Sequence, residues 1–359
     1  MTAIIGAFVT SYLITLLLIR YEHVHGKISA DHDFNSPQKF HSVAVPRIGG
    51  LAIFVGLLAG LGIKVFQDSA LGFDWVLLFA CSIPAFGSGM IEDLTKKINA
   101  KTRLLATFIA GILACYFLNM TISKIDLAWI DHLLNVKIIA FLFTSIMIAG
   151  LINSYNIIDG FNGLASMTAM ITLLAIAYVA FQVNDSALCI YALIMSAAIF
   201  GFFIWNYPKG SIFLGDGGAY LIGFWIAALS ILLVVRNQDV SPWFACLINI
   251  YPAFETMFSI WRKKMIRKIS PGQPDGAHLH MLIYGRIARW MRIDDPNKSF
   301  LANARTAPFL WVLAGTTIIP AILLWRNTLA LQLMTLLFCI FYLAAYRALV
   351  LFKIPKWFL

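Results

Sequence analysis

The stretch from Ile138 to Leu164 reads IIAFLFTSIMIAGLINSYNIIDGFNGL. Its first fifteen residues carry no charge, and the polar groups that follow, Asn153, Asn156, Asp159 and Asn162, recur at every third position. A spanning helix needs about 20 predominantly apolar residues. The run predicts such a helix, with a polar stripe on its last turns that Gly160 and Gly163 interrupt. A polar stripe turned toward lipid is costly, so it must face protein, water or a ligand. Interhelical hydrogen bonding would satisfy it as well as a ligand would.

The rest of the chain has the same character. Of its 359 residues, 60% are hydrophobic and 12% charged, and the mean hydropathy is +0.82. Soluble domains are about 45–50% apolar and about 25% charged. Apolar runs occur near 3–19, 48–66, 75–91, 104–118, 138–157, 164–181, 187–205, 212–235, 243–261, 307–325 and 328–351. The expectation is an all-α, polytopic integral membrane protein of about eleven transmembrane helices. Eleven helices would take about 220 residues, which leaves no room for a large extramembrane domain. Residues 1–359 are therefore read as a single transmembrane domain that includes a cytoplasmic loop at 263–305.

Arg20 follows the first run, and no A-x-A site is present, so that run is expected to stay as an uncleaved helix with its N-terminus outside. Eleven spans then leave the C-terminus inside. The basic residues agree with this orientation. Of 27 lysines and arginines, only Lys64, Lys124, Lys137, Arg236 and Arg326 fall outside, and the remaining 22 fall inside. The net charge of +10 is thus a matter of membrane sidedness, and no nucleic-acid partner is expected. The five cysteines form no C-x-x-C pair and are read as small buried hydrophobes. His23, His25, His32 and His41 lack a zinc-type partner spacing and are read as an interfacial loop.

The acids are placed unevenly. Asp68, Asp74, Asp126, Asp131, Asp185 and Asp239 sit in outside loops, where water accounts for them. Glu92 and Asp93 (GMIEDL), Asp159 (NSYNIIDGFNG) and Asp216 (FLGDGGAY) end or begin apolar runs on the inside face, and Glu255 lies within a run. Ionisable groups at such positions are functional candidates. Converging carboxylates suit a hard cation such as Mg²⁺, which takes one or two carboxylates plus substrate phosphates. The glycines flanking Asp216 would let backbone approach a phosphate; a tight helix start with Asp216 as N-cap explains them equally well. Acids, bases and glycines at one interface point to phosphate chemistry on a lipid. A transporter is the rival reading, but transporters bind near the midplane between internal repeats, and no repeat is visible.

Five motifs in chain order resemble those of the polyprenyl-phosphate N-acetylhexosamine-1-phosphate transferases, or glycosyltransferase family 4. Pro37, Lys39, His41 and Pro46-Arg47-Ile48-Gly49-Gly50 look like the first cytoplasmic motif of that superfamily, and Glu92-Asp93 like its acid pair. Asn153 to Leu164 resembles N-x-x-N-x-x-D-G-x-D-G-L, Phe213 to Gly218 resembles F-x-G-D-x-G, and His278-Leu279-His280 resembles H-x-H-H. The topology is similar to the bacterial undecaprenyl-phosphate GlcNAc-1-phosphate branch. Three positions depart from the pattern: Glu92 for an aspartate, Asn162 for an aspartate and Met281 for a histidine.

The resemblance implies transfer of an N-acetylhexosamine-1-phosphate from a UDP-sugar to undecaprenyl phosphate, with release of UMP, at the cytoplasmic face of a bacterial inner membrane. Another UDP-sugar, such as a deoxy-N-acetylhexosamine, is the alternative donor. The implied cofactor is Mg²⁺, with Mn²⁺ as the alternative ion, and Asp216 as its ligand. Asp93, Glu92 and Asp159 are the implied catalytic acids. Lys39, His41, Asn153, Asn156, His278 and His280 are the implied substrate contacts. The partners are undecaprenyl phosphate, a UDP-N-acetylhexosamine and the lipid bilayer, and a homodimer is left open.

Overall fold

The computed structural model describes residues 1–29, 45–67, 74–270, 272, 276–290 and 299–351. Lys39 and His41 lie outside the described residues, as does Pro37. The described chain forms fifteen α-helices: α1 (Thr2–Arg20), α2 (Glu22–Ser29), α3 (Gly49–Gln67), α4 (Asp74–Thr95), α5 (Ala100–Phe117), α6 (Ala128–Leu134), α7 (Lys137–Ile158), α8 (Leu164–Gln182), α9 (Ser186–Asn206), α10 (Gly215–Arg236), α11 (Pro242–Ile248), α12 (Ile250–Trp261), α13 (Leu279–Trp290), α14 (Ser299–Leu324) and α15 (Thr328–Val350). A π-helical turn, Arg262–Arg267, extends α12.

Ten of these helices are long and apolar enough to cross a membrane. They coincide with ten of the eleven apolar runs. The remaining run, 243–261, is broken at Asn249 into α11 and α12. Pro252 sits in the first turn of α12 and has no N–H to continue a helix from α11. The Asn249 amide covers the break by donating to Ser230 Oγ at 3.2 Å and to the Ala245 carbonyl at 2.9 Å. At about 1.5 Å rise per residue neither half spans a bilayer core of about 30 Å alone, but the two in succession do.

The bundle is built around α10. Every residue from Gly215 to Leu233 is buried, as expected of a helix that is apolar all round. It packs against α3, α4, α7 and α8. Small residues make this close approach possible. A Cβ on Gly50 would collide with the Gly218 backbone, and one on Gly89 would lie 2.5 Å from the Gly217 nitrogen. Outside this core, α1 packs on α3 and α9, α5 on α4 and α7, and α12 on α7.

Three expectations change in detail. The stretch 263–305 is not one loop: it holds the π turn, α13 and the start of α14. Of the interfacial histidines, His25 lies in α2 and its Nε2 is 2.8 Å from the Leu18 carbonyl at the end of α1. Cys246 is exposed on the bundle surface rather than buried.

Candidate active site

Two distant pieces of chain pair to start the site. The Phe213 N–H donates to the Pro46 carbonyl at 2.8 Å, and the Gly49 and Gly50 N–H groups donate to the Phe213 and Leu214 carbonyls at 3.0 and 2.9 Å. This ladder brings Arg47 to the first turn of α10. Gly215 turns the chain into that helix with φ of +75°, a region that costs other residues energy. A Cβ there would also strike the Arg47 carbonyl and approach Asp93 Oδ2 to 2.6 Å.

Asp93, at the end of α4, closes the helix start. Its Oδ1 accepts the Asp216 N–H and its Oδ2 the Gly217 N–H, each at 2.9 Å. The first N–H groups of a helix have no internal partner, and here a buried carboxylate from another helix supplies one, in a favourable position on the helix dipole. The glycines around Asp216 thus serve helix–helix packing and this cap. The N-cap reading of Asp216 also gives way, because Asp93 caps the helix in trans.

With its backbone held, the Asp216 side chain meets three donors. Asn156 Nδ2 is 2.9 Å from Oδ1, Arg47 Nη2 is 3.5 Å from the same oxygen, and Arg103 Nη1 contacts Oδ2 directly. Arg47 Nη2 is also 3.9 Å from Asp93 Oδ1. Arg103, from the first turn of α5, is the site residue that sequence reasoning counted only as an inside charge. Its place ten residues past Asp93, across a helix turn, was the one available hint.

The other candidates divide. Asp159 ends α7, half-buried, and burial raises its carboxyl well above the usual range, with Arg47 opposing and Asp93 adding to the rise. Asn153, nearly two turns earlier, points instead to α5: its amide donates to Thr107 Oγ1 at 3.0 Å and to the Ala149 carbonyl at 2.8 Å. Glu92 Oε2 accepts the Ile98 N–H at 2.7 Å and so shapes the turn between α4 and α5. Consecutive helix residues point about 100° apart, which is why the two acids of the pair have different partners.

His280 stands against the turn after α7. Its ring meets Phe161 edge-on at 5.5 Å, and its Nε2 is 3.0 Å from where a Cβ on Gly160 would sit. Burial, first, and then the neighbouring His278 and Arg262 push its pKa down to about 3 against the pull of Glu255, so the ring is neutral. His278 is bound to Glu255. Met281 faces the other way, into a cavity of about 330 Å³ that it lines with Arg267, Arg286 and Tyr346. Asn162 is buried and structural: its amide donates to the Pro208 carbonyl at 3.1 Å, and its backbone N–H donates to Asn303 Oδ1 at 2.9 Å. A carboxylate at 162 could not make the first of these bonds.

Residues 75–234, which hold Asp93, Arg103, Asn156, Asp159 and Asp216, match the family described as Glycosyl transferase family 4. The chain is similar to that family over this stretch, and its relatives carry names of the same kind. A Bacillus subtilis (strain 168) relative, named a probable undecaprenyl-phosphate N-acetylglucosaminyl 1-phosphate transferase, is 29% identical over 288 residues, covering 78% of this chain and 77% of its own. A Thermotoga maritima undecaprenyl-phosphate alpha-N-acetylglucosaminyl 1-phosphate transferase is 26% identical over 80% of this chain and 81% of its own. A Streptococcus mutans phospho-N-acetylmuramoyl-pentapeptide-transferase is 26% identical over 71% of this chain and 78% of its own.

Among the described residues, a divalent cation fits the donor set in one way. Among the described residues no three His, Cys, Asp or Glu side chains gather into a protein cage. Asp216 offers a carboxylate beside the Arg47 and Arg103 guanidinium groups. That suits Mg²⁺ held by one carboxylate and completed by substrate phosphates. Arg47 and Arg103, next to it, would meet those phosphates with charge-assisted hydrogen bonds.

Proposed function

We propose that this chain transfers a hexosamine-1-phosphate from a UDP-sugar to undecaprenyl phosphate and releases UMP, with UDP-GlcNAc as donor. The observation that supports this most directly is the Asp216 carboxylate with Arg47, Arg103 and Asn156 around it. Both the N-acetylglucosaminyl and the pentapeptide relatives carry names for this type of transfer.

The reaction forms a bond between a lipid-phosphate oxygen and the sugar-bearing phosphorus of the donor. It breaks the bond from that phosphorus to the bridging oxygen, which leaves with UMP. Such a transfer depends on positioning and charge neutralisation more than on covalent help. Asp216 would hold Mg²⁺, which when bound neutralises charge on the diphosphate and the departing UMP. Arg47 and Arg103 would leave Asp216 for the phosphates and take up the remaining charge. Asp93 fixes where Asp216 stands. Asp159, just past the end of α7, would receive a proton if the lipid phosphate carries one. His280, neutral and against the Gly160 turn, would contact the nucleotide-sugar. The basic-residue asymmetry supports an active face in the cytoplasm, with the N-terminus outside.

The test is purified protein in detergent with undecaprenyl phosphate, Mg²⁺ and a panel of UDP-sugars, with UMP followed donor by donor. UMP release with UDP-GlcNAc that requires both lipid and Mg²⁺ is the expected result. No lipid-dependent UMP from any donor would refute the reading.

A further inference from the structure

Glu255 is a carboxylate that the proposed reaction does not use, and it has no access to water. Its Oε1 lies 2.9 Å from His278 Nδ1 and also accepts the Leu279 N–H at 3.4 Å. Its Oε2 accepts the Tyr342 hydroxyl at 2.6 Å. Seven residues further along the same face, two helical turns on, Arg262 contacts the Ala277 carbonyl and donates to the Tyr346 hydroxyl at 2.8 Å. One helix therefore grips three consecutive residues, Ala277, His278 and Leu279, with an acid and a base. A buried charge is costly, and an apolar replacement often packs as well. An ionisable group inside a membrane bundle is a candidate for function.

The contacts continue beyond His278. Its ring lies parallel to that of His280 with centroids 5.2 Å apart. His280 in turn abuts Gly160 and Phe161, directly after Asp159. The Nδ1 of His280 is buried with no protein partner. Buried polar atoms rarely stay unsatisfied, and a polar group of a bound ligand would complete this one.

We propose that Glu255 is a positioning residue: through His278 it holds the His280 ring against the Asp159–Phe161 turn, in the orientation that receives the nucleotide-sugar donor. The proposal rests on the donor reaction above.

Glu255→Gln keeps the size of the side chain. In the UMP assay it is expected to raise KM for the UDP-sugar about tenfold or more while KM for undecaprenyl phosphate stays within about twofold. In a His278→Asn background the same substitution should add less than about twofold, because the effect runs through His278. Equal rises in both KM values, or fully additive losses in the double variant, would overturn the proposal. A second readout needs no turnover: spectra of protein carrying ¹⁵N-histidine. Glu255→Gln should change the His278 tautomer signal and displace the His280 signal. Unchanged signals from both rings overturn the link even in a protein that releases no UMP, whereas shifted signals without UMP release refute only the reaction. Should Glu255→Gln fail to fold, Tyr342→Phe, which removes the hydroxyl donor to Oε2, should shift the same two rings and raise the same KM by a smaller factor; no effect on either defeats the idea.

Discussion

Asp93 and Asp216 lie 123 positions apart, yet a carboxylate oxygen of the first accepts the backbone N–H of the second at 2.9 Å. The other Asp93 oxygen takes the next N–H, that of Gly217, at 2.9 Å. Asp93→Asn can offer only one acceptor oxygen and presents an NH₂ group to a buried N–H. Leaving such a group unpaired costs about 1–3 kcal/mol. The variant should lose both thermal stability in detergent and at least about 100-fold in UMP release, since Asp216 would be displaced. An unchanged Tm would show that the cap contributes little.

Asp216→Asn should behave differently. The backbone of residue 216, not its side chain, receives the cap. The carboxylate points toward Asn156, Arg47 and Arg103. Activity should fall by about 100-fold or more in a protein that stays folded, with some loss of Tm from the lost Arg47 and Arg103 pairing. Ordinary turnover at ordinary Mg²⁺ would remove Asp216 from the metal role.

Asn162→Asp restores the carboxylate of the resembled motif but loses the donor to the Pro208 carbonyl. The variant should be less stable at neutral pH by about 1–3 kcal/mol. The deficit should shrink as pH falls toward the carboxyl pKa, because the protonated acid donates again. Thermal melts of the variant and the natural chain between pH 7.5 and about 4.5 compare the two. A deficit that grows on acidification contradicts this account.

His280 sets a second pH dependence with the opposite origin. Its folded pKa is depressed to about 3, whereas an unfolded histidine titrates near about 6.5. Between those values the unfolded chain binds the extra proton, so stability falls as pH drops below about 6.5. His280→Gln should flatten this part of the stability profile. An equally steep profile in the variant would exclude His280 as its source.

The arginines and lysines give a test of orientation. A reporter inserted near residue 275 or fused after Leu359 should read cytoplasmic. A periplasmic signal at either place would break the shared active face.

The spans were legible in the sequence because hydropathy is a local quantity. A run of about 20 apolar residues crosses a bilayer whatever surrounds it, and ten of the eleven runs became continuous helices. The break at Asn249 was harder to see, since its marks are a single polar residue and Pro252 inside an otherwise apolar run. Asp216, Asn156 and Asp159 could be picked out as polar groups at helix ends, where no lipid-facing role is tolerable. Spacing could not say which partner each would meet. The stripe at Asn153, Asn156, Asp159 and Asn162 splits between an interhelical bond to Thr107, the Asp216 site, the end of α7 and a loop anchor at Pro208. Adjacent acids likewise part, Asp93 to the α10 start and Glu92 to Ile98. Arg103 joins Asp216, and Glu255 joins His278, through packing of helices remote in sequence. A buried polar group must find a partner, but which partner depends on the rotation and depth of each helix in the bundle, and those follow from the glycine contacts around α10 rather than from any local pattern.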